Sequence, residues 1–322
     1  MSNNSAHLFD LKEARGRIER KDKSIRPKIT SLQDAVKQFI PSGSHVAVGG
    51  CLYSRTPTAL IHEIIRQKRA DLTISRSLTG MEADLLLAAS ALSTVVTSWW
   101  SIGYAWGISS MMRKFVQEGK VEFEEWSHLA LGLRYRAAAM GTSFLPTFSM
   151  LGTDLERTNK VEKFVCPYTG EKMLLVPALY PDVGLIHAHR ADKFGNVEID
   201  GFHFMDEDIA RASGRVIVTA EEIVDSDHFR NQPDRTAIPF FCVDAVVEVP
   251  YGSYPSECWN LYDADFSHFS DFSQATNESG VDGANEYLSR YVYASKSFQN
   301  FLDMIGIGRL LELKKSMENV IR

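Results

Sequence analysis

The stretch Ser42-Gly-Ser-His-Val-Ala-Val-Gly49-Gly50-Cys51-Leu-Tyr-Ser-Arg55-Thr-Pro57 constrains the fold more than any other part of the chain. Val46 to Val48 supply the β-branched run of a buried strand. Gly49 and Gly50 carry no Cβ, so the chain can turn sharply there and bring its backbone close to a ligand. Pro57 fixes the φ of a helix's first residue, and Ala59, Leu60, Ile61, Ile64 and Ile65 give that helix an apolar stripe. Strand, glycine turn and helix in this order form the ligand-facing corner of an open parallel sheet; a plain tight turn is the other reading of the same spacing.

The rest of the chain continues the alternation. Ser31 and Asp34 form a capping box before Leu32, Ala35, Val36 and Phe39, and Pro41 with Gly43 ends that helix. The patterning predicts strands over 45–49, 72–75, 94–97 and 121–124, and helices over 58–68, 81–89, 108–118 and 127–140. Such regularity implies right-handed crossovers and an α/β fold, an open, mostly parallel sheet with helices on both faces. Over 152–172 the apolar period lapses, and 173–176 resumes strand character, so that segment reads as an excursion and not a linker. Further strands are expected over 184–187, 197–199, 216–219 and 243–249, with helices near 205–212 and 220–229. Phe194-Gly195-Asn196 marks a turn. Residues 267–283 read as a polar and aromatic surface loop, and the tail from Tyr287 as helical with a break at Gly306 and Gly308. The expected organisation is an N-terminal extension over 1–30 and one domain over 31–322.

Composition narrows the partners. The chain has 322 residues and a net charge of −6, which argues against nucleic acid or an anionic membrane as its main partner. Cys51, Cys166, Cys242 and Cys258 lie far apart with no CxxC, the pattern of reduced thiols in a cytoplasm and not of a disulfide frame or zinc site. The N-terminus is charged (Lys12, Glu13, Arg15, Arg17, Glu19, Arg20, Lys21) and shows no signal peptide. Residues 85–112 carry no charge and are long enough to span a bilayer, yet Ser and Gly interrupt them repeatedly. A helix end, a buried strand and a new helix explain them better than membrane insertion.

Four stretches together resemble the A (alpha) subunit of family I CoA-transferases, closest to the glutaconate CoA-transferase branch. The family signature is an acidic or amide residue, glycine, an apolar strand, Gly-Gly-Phe and a proline; here it reads Ser42-Gly43, Val46-Ala47-Val48, Gly49-Gly50-Cys51 and Pro57. Ser42 and Cys51 depart from it, and Arg55 replaces the common glycine in the manner of the glutaconate branch. Ala137-Ala138-Ala139-Met140-Gly141 with Phe144-Leu145-Pro146 is similar to the family's small-residue helix end. Asp182 to His189, with Ala191-Asp192 and Gly195-Asn196, is similar to its central strand and turn. Cys242 to Cys258 is similar to the glutaconate-type strand and following loop.

This resemblance implies the CoA-transferase (NagB-like) fold and transfer of CoA through an enzyme carboxylate, by way of an acyl anhydride and a glutamyl-CoA thioester. It places the nucleophile in a Ser-Glu-Asn-Gly motif on a B (beta) subunit. This chain lacks that motif, for Asn277-Glu278-Ser279-Gly280 has a scrambled order. The expected assembly is therefore a heteromer, most simply α2β2, that acts on a coenzyme A thioester and a short or dicarboxylic acid with no tightly bound cofactor and no metal. For this subunit the resemblance leaves the wall of the site. Gly49, Gly50 and Cys51 would offer N–H groups to substrate, and Arg55 would pair with a carboxylate or a CoA phosphate or serve only as a solvated charge. Ser77, Thr79 and Gly80 follow the second strand at a ligand-facing edge.

His128 stands where this family commonly carries an active-site Gln, and a His there can donate, accept or take a proton. His187 and His189 share one strand face with no third ligand at short range, so packing is the expected role. Trp99, Trp100, Tyr104 and Trp106 read as core and interface aromatics. Two alternatives stay open: a CoA-thioester or ring-cleaving hydrolase subunit of the same fold, and a ligand-binding module without catalysis.

Overall fold

The structure is a computed structural model that describes residues 10–321. Ser31 caps the second helix as expected, but Asp34 engages the Ser31 hydroxyl and not its backbone N–H, so the reciprocal half of a capping box is replaced by a side-chain bond. Helix α1 (Leu11–Glu19) precedes α2 (Leu32–Phe39), whose N-cap Ser31 accepts the Asp34 N–H at 3.0 Å and donates its hydroxyl to the Asp34 carboxylate at 2.7 Å. Then follow β1 (His45–Val48), α3 (Thr58–Arg66), β2 (Leu72–Thr79), α4 (Met81–Ala88), β3 (Leu92–Gly103), the short β4 (Gly107–Ile108), α5 (Ser110–Gln117), β5 (Glu122–Glu125) and α6 (His128–Ala139). Next come β6 (Phe144–Thr147), α7 (Leu155–Thr158), β7 (Glu162–Val165) and β8 (Lys172–Pro177). The second half holds β9 (Val183–Asp192), β10 (Val197–Glu198), α8 (Asp206–Ala212), β11 (Arg215–Val224), α9 (Ser226–Asn231) and β12 (Ala245–Glu248). Helices α10 (Phe266–Ser279), α11 (Val281–Tyr287), α12 (Phe298–Ile305) and α13 (Ile307–Ile321) close the chain.

Parallel strands run in the order β12-β11-β9-β1-β2-β3-β5, with β4 and β10 pairing antiparallel at the ends of β3 and β9. Both faces are buried, and alternate residues serve different cores, as period-two side chains must. Val46, Val48, Ile74, Val95 and Leu185 face a core shared with α2 to α5 and α10 to α11. Ala47, Val96, Ile186, Ala188 and Val218 face one shared with α6, α8 and β8. The charge-free run 85–112 is the end of α4, the interior strand β3, β4 and the start of α5, and no described helix is long and apolar enough to cross a membrane.

Several boundaries differ from the sequence expectation. Residues 144–177 form a separate three-stranded antiparallel sheet, β6-β8-β7, so 173–176 joins that sheet and not the parallel one. The segment 220–224 stays in β11, because nine positions of β11, through Val224, pair with β9; a helix begins only at Ser226, where the Asp225 carboxylate accepts the Asp227 N–H. The expected surface loop 267–283 is instead the pair α10–α11. Asp265 caps α10, and Phe269, Phe272, Ser273 and Thr276 make its buried stripe at helical spacing. The helical tail breaks at 294–297, where Ser297 caps α12, and again at Gly306, with Gly308 inside α13. Ahead of α2, residues 28–30 hydrogen-bond to Val246 beside β12, while Ala14 of α1 packs in a small apolar cluster with Ala137, Ala138 and Tyr180.

The C-terminal helices rest on an apolar site that contains a histidine. His62 of α3 is fully buried against the ring edges of Phe298 and Phe301, with centroids 5.6 and 4.8 Å away, and neither ring nitrogen has a hydrogen-bond partner among the described residues. Burial holds its pKa well below the ordinary histidine value, and burial also pushes His268 and His189 down to about 4. These three groups stay neutral in the folded chain but protonate in the unfolded one. Their stabilisation is present above the unfolded value of about 6.5 and is lost as pH falls toward 4. Asp84, raised by burial to about 7, and Glu257, also raised by burial, act in the opposite direction, but two such groups do not offset three. Urea unfolding should therefore give a lower unfolding free energy at pH 5 than at pH 7.5, and His62→Leu should shrink that difference. Equal stability at the two pH values would contradict this account.

Candidate functional site

Strand order reverses between β1 and β9, from which the chain winds outward on both sides. In an open parallel sheet, the carboxyl ends of the strands at such a reversal border a ligand crevice. The double glycine leaves β1 there. Gly49 N–H donates to the Leu185 carbonyl at 2.8 Å, Gly50 N–H donates to Asp206 Oδ1 at 2.8 Å, and Cys51 and Ser54 exchange backbone bonds of 2.9 and 2.8 Å. The amides expected to be free for substrate are thus occupied by the chain itself. Space is short for the same reason. A Cβ on Gly49 would sit 2.1 Å from Asp206 Oδ1, and one on Gly50, whose φ is +66°, would sit 2.3 Å from the Ser54 carbonyl oxygen. The Cys51 thiol is half-buried, and that burial pushes its pKa up.

Arg55 also differs from the open hook or solvated charge that the sequence suggests. It is 1% exposed, and its guanidinium donates to Asp206 Oδ2 at 2.7 Å, to the Phe202 carbonyl at 2.7 Å and to the His187 carbonyl at 3.1 Å. The cation is neutralised inside the protein. Asp206 gave no signal in the sequence beyond an acidic start to a short helix. Only the fold brings its carboxylate under the glycine turn.

Ser77, Ser98 and His128 converge on the neighbouring strands. Strand β2 runs to Thr79 and β3 to Gly103, longer than expected, and their register sets Ser77 beside Ser98. His128 is the exposed first residue of α6, capped by Ser127, whose hydroxyl accepts the Ala130 N–H at 3.1 Å. Its Nδ1 lies 2.6 Å from Ser77 Oγ and 3.3 Å from Ser98 Oγ, while Ser98 donates its hydroxyl to the Ser77 carbonyl at 2.5 Å. Ser77 and His128 were each legible as candidates; Ser98 was not, because only strand register reveals it. Gly80 lies further back, where its N–H donates to Glu82 Oε1 at 3.0 Å beside the buried Arg76–Glu82 ion pair of 2.8 Å. Thr79 is buried and donates to Thr97. Trp100 is a core residue that donates to Asp84 at 2.9 Å, Trp106 stacks on Phe266, and Tyr104 stands exposed against Trp99.

His187, Glu221 and Cys258 present donor atoms within 4.8 Å of one another, the spacing of a metal site. Their atoms are already engaged. His187 bonds Thr219 at 2.9 Å and Glu221 at 2.7 Å, Glu221 accepts from Tyr262 at 2.5 Å and from the Tyr251 N–H at 2.7 Å, and Cys258 Sγ lies 3.5 Å from His189. Burial drives the Cys258 thiol well above its ordinary pKa. The cluster is a hydrogen-bond network that ties β9 and β11 to the 249–262 loop.

The fold and this crevice define a class, and comparison with known proteins identifies it. Residues 29–249 match the family model for coenzyme A transferase, and the chain belongs to that family. It is 33% identical to the A subunit of the glutaconate CoA-transferase from Acidaminococcus fermentans over 304 residues, covering 89% of this chain and 94% of that one. It is 34% identical to the A subunit of the 3-oxoadipate CoA-transferase from Pseudomonas knackmussii, covering 87% and 99%. The crystal structure of glutaconate coenzyme A-transferase from Acidaminococcus fermentans superposes with a TM-score of 0.85 at 32% identity over 89% of this chain and 95% of that one. A variant of the decarboxylase AibA/AibB superposes at 0.70 with 29% identity, covering 82% and 98%. The chain is accordingly a CoA-transferase subunit of the A type, with the parallel α/β fold the sequence predicted.

The crowding around the turn gives a stability prediction. Gly50→Ala meets backbone oxygens that cannot swing aside and keeps a positive φ, so it should cost about 2–4 kcal/mol in urea unfolding. Gly43→Ala, at φ +82° with nothing within 4 Å, should cost only about 1 kcal/mol. Equal costs would show that the close contacts at Gly50 relax freely.

Proposed function

We propose that the chain is the A subunit of an acyl-CoA:carboxylate CoA-transferase that moves CoA between short or dicarboxylic acids, with the nucleophilic Glu on a B subunit in an α2β2 cytoplasmic enzyme. The partner's carboxylate would attack the acyl-CoA carbonyl and expel CoA thiolate, leaving an acyl anhydride. The thiolate would then attack the glutamyl carbonyl, release the first acid and form glutamyl-CoA; a second acid reverses the sequence. This chain would supply the wall at the ends of β1, β2 and β3. Gly49, Gly50 and Cys51 would shape it, with Arg55 as an internal brace, Gly80 behind it, and Ser77 and His128 facing substrate.

The observation that carries this reading is the contact of Ser77 and Ser98 with His128 at the ends of β2 and β3. Ser98 donates to the Ser77 carbonyl, and the Ser77 hydroxyl has no acceptor other than His128 Nδ1 among the described residues. With Ser77 donating to Nδ1, the ring would carry its Nε2–H toward the crevice. A ring so arranged is a hydrogen-bond donor for a developing oxyanion, the task a Gln performs equally well. A general base would need the opposite tautomer, so the behaviour of His128 variants separates transfer from the hydrolase alternative. The non-catalytic alternative is disfavoured by family membership.

Two tests follow. The purified chain alone should exchange no CoA, and co-expression with a B subunit bearing Ser-Glu-Asn-Gly should restore exchange between acyl-CoA and a free acid; turnover by the isolated chain would contradict the proposal. In the complex, His128→Gln should keep activity within about tenfold, since one neutral hydrogen bond is worth about 0.5–1.5 kcal/mol. Its pH–rate profile should overlay that of the native enzyme. A loss of about 10²–10⁴-fold with a flattened profile would instead mark His128 as a base and favour hydrolysis.

A further inference from the structure

The double-glycine turn is held from beneath by one carboxylate. Asp206 begins α8, is fully buried, and divides its two oxygens between two elements. Oδ1 accepts the Gly50 N–H at 2.8 Å and fills the volume that a Gly49 side chain would need. Oδ2 accepts Arg55 Nη2 at 2.7 Å, and the same nitrogen also donates to the Phe202 carbonyl. Arg55 then reaches the His187 carbonyl on β9, so its fork spans the strand reversal. Arg55 itself adopts φ +51°, uncommon for a residue with a side chain, and lies with its guanidinium 5.6 Å from the Phe204 ring centroid. A positive-φ glycine, a positive-φ arginine and a buried ion pair thus over-determine one backbone shape at the carboxyl end of β1.

We infer that Asp206 is the positioning residue of this enzyme: through Gly50 and Arg55 it fixes the turn at the height where the reacting thioester passes. This rests on the proposed function, in which the turn forms part of the substrate wall. Asp206 touches no substrate; it acts by denying the turn its alternative conformations. A turn released by even an ångström would misplace the groups it carries and slow the chemical step more than it weakens binding.

The test uses the complex with its B subunit. Asp206→Asn keeps the size and an acceptor for Gly50 while removing the charge that holds Arg55. Backbone hydrogen–deuterium exchange in the peptide covering 49–57 should become several-fold to tenfold faster, with the strands β9 and β11 unchanged, as expected for loss of about one hydrogen bond's worth of protection. The kcat should fall about 10- to 100-fold with little change in KM for the CoA thioester. If Asp206→Asn fails to assemble, Arg55→Lys is read instead. It keeps the ion pair but cannot reach both carbonyls, and it should loosen the same peptide and lower kcat to a smaller degree. Unchanged exchange at 49–57 in the folded variant overturns the inference. Faster exchange with undiminished kcat overturns it too, because the turn would then move without consequence. The exchange measurement needs no substrate, so it stands even where the native complex transfers no CoA, a result that would count against the proposed function alone.

Discussion

The buried ion pair between Arg55 and Asp206 is the contact on which the crevice depends. Removing two charges from water is costly, and a buried pair recovers that cost only when its remaining donors and acceptors are also satisfied. Here Arg55 has two backbone carbonyls besides the carboxylate, and Asp206 has the Gly50 amide besides the guanidinium. Losing either partner would strand the other's charge in a site without solvent, at a cost of about 3–5 kcal/mol. The pair joins the β1 turn to the 199–206 loop at the point where strand order reverses. The need for glycine at 49 follows from it directly, since Asp206 Oδ1 occupies the place of a Cβ.

That arrangement also shows why the site was only partly legible. The alternation of apolar runs with Gly and Pro punctuation gave the parallel sheet, because strands buried on both faces and helices with an apolar stripe are local properties. The double glycine was legible as a special turn, and Ser77 and His128 as residues at strand and helix ends. What occupies the turn was not legible. Arg55 and Asp206 lie 151 positions apart, and an arginine before a helix looks like a solvated charge until the fold buries it. Ser98 was missed for a related reason: which serine of β3 meets Ser77 depends on a register that no local pattern specifies.

The misread elements have physical causes as well. Residues 266–279 mix Ser, Asn and Asp with aromatics, a composition that favours loops, yet Phe269, Phe272 and Thr276 bury one face against α11 and the first core, and packing overrides propensity. Residues 220–224 carry two glutamates and look helical, but pairing with β9 continues to Asp192, and Glu221 is held by His187, Tyr262 and the Tyr251 amide. In both places long-range contacts decide the structure, and a short window of sequence cannot contain them.

On the proposed reading the chain contributes shape, a donor and a brace, and leaves the nucleophile to a partner. The most direct check is where CoA becomes covalently attached. The reconstituted complex should be incubated with acyl-CoA without acceptor acid, quenched in acid, and both chains weighed by intact mass spectrometry. The account predicts a CoA adduct on the partner chain and an unmodified mass for this one. A CoA adduct on this chain, or turnover with no adduct on either, would contradict it.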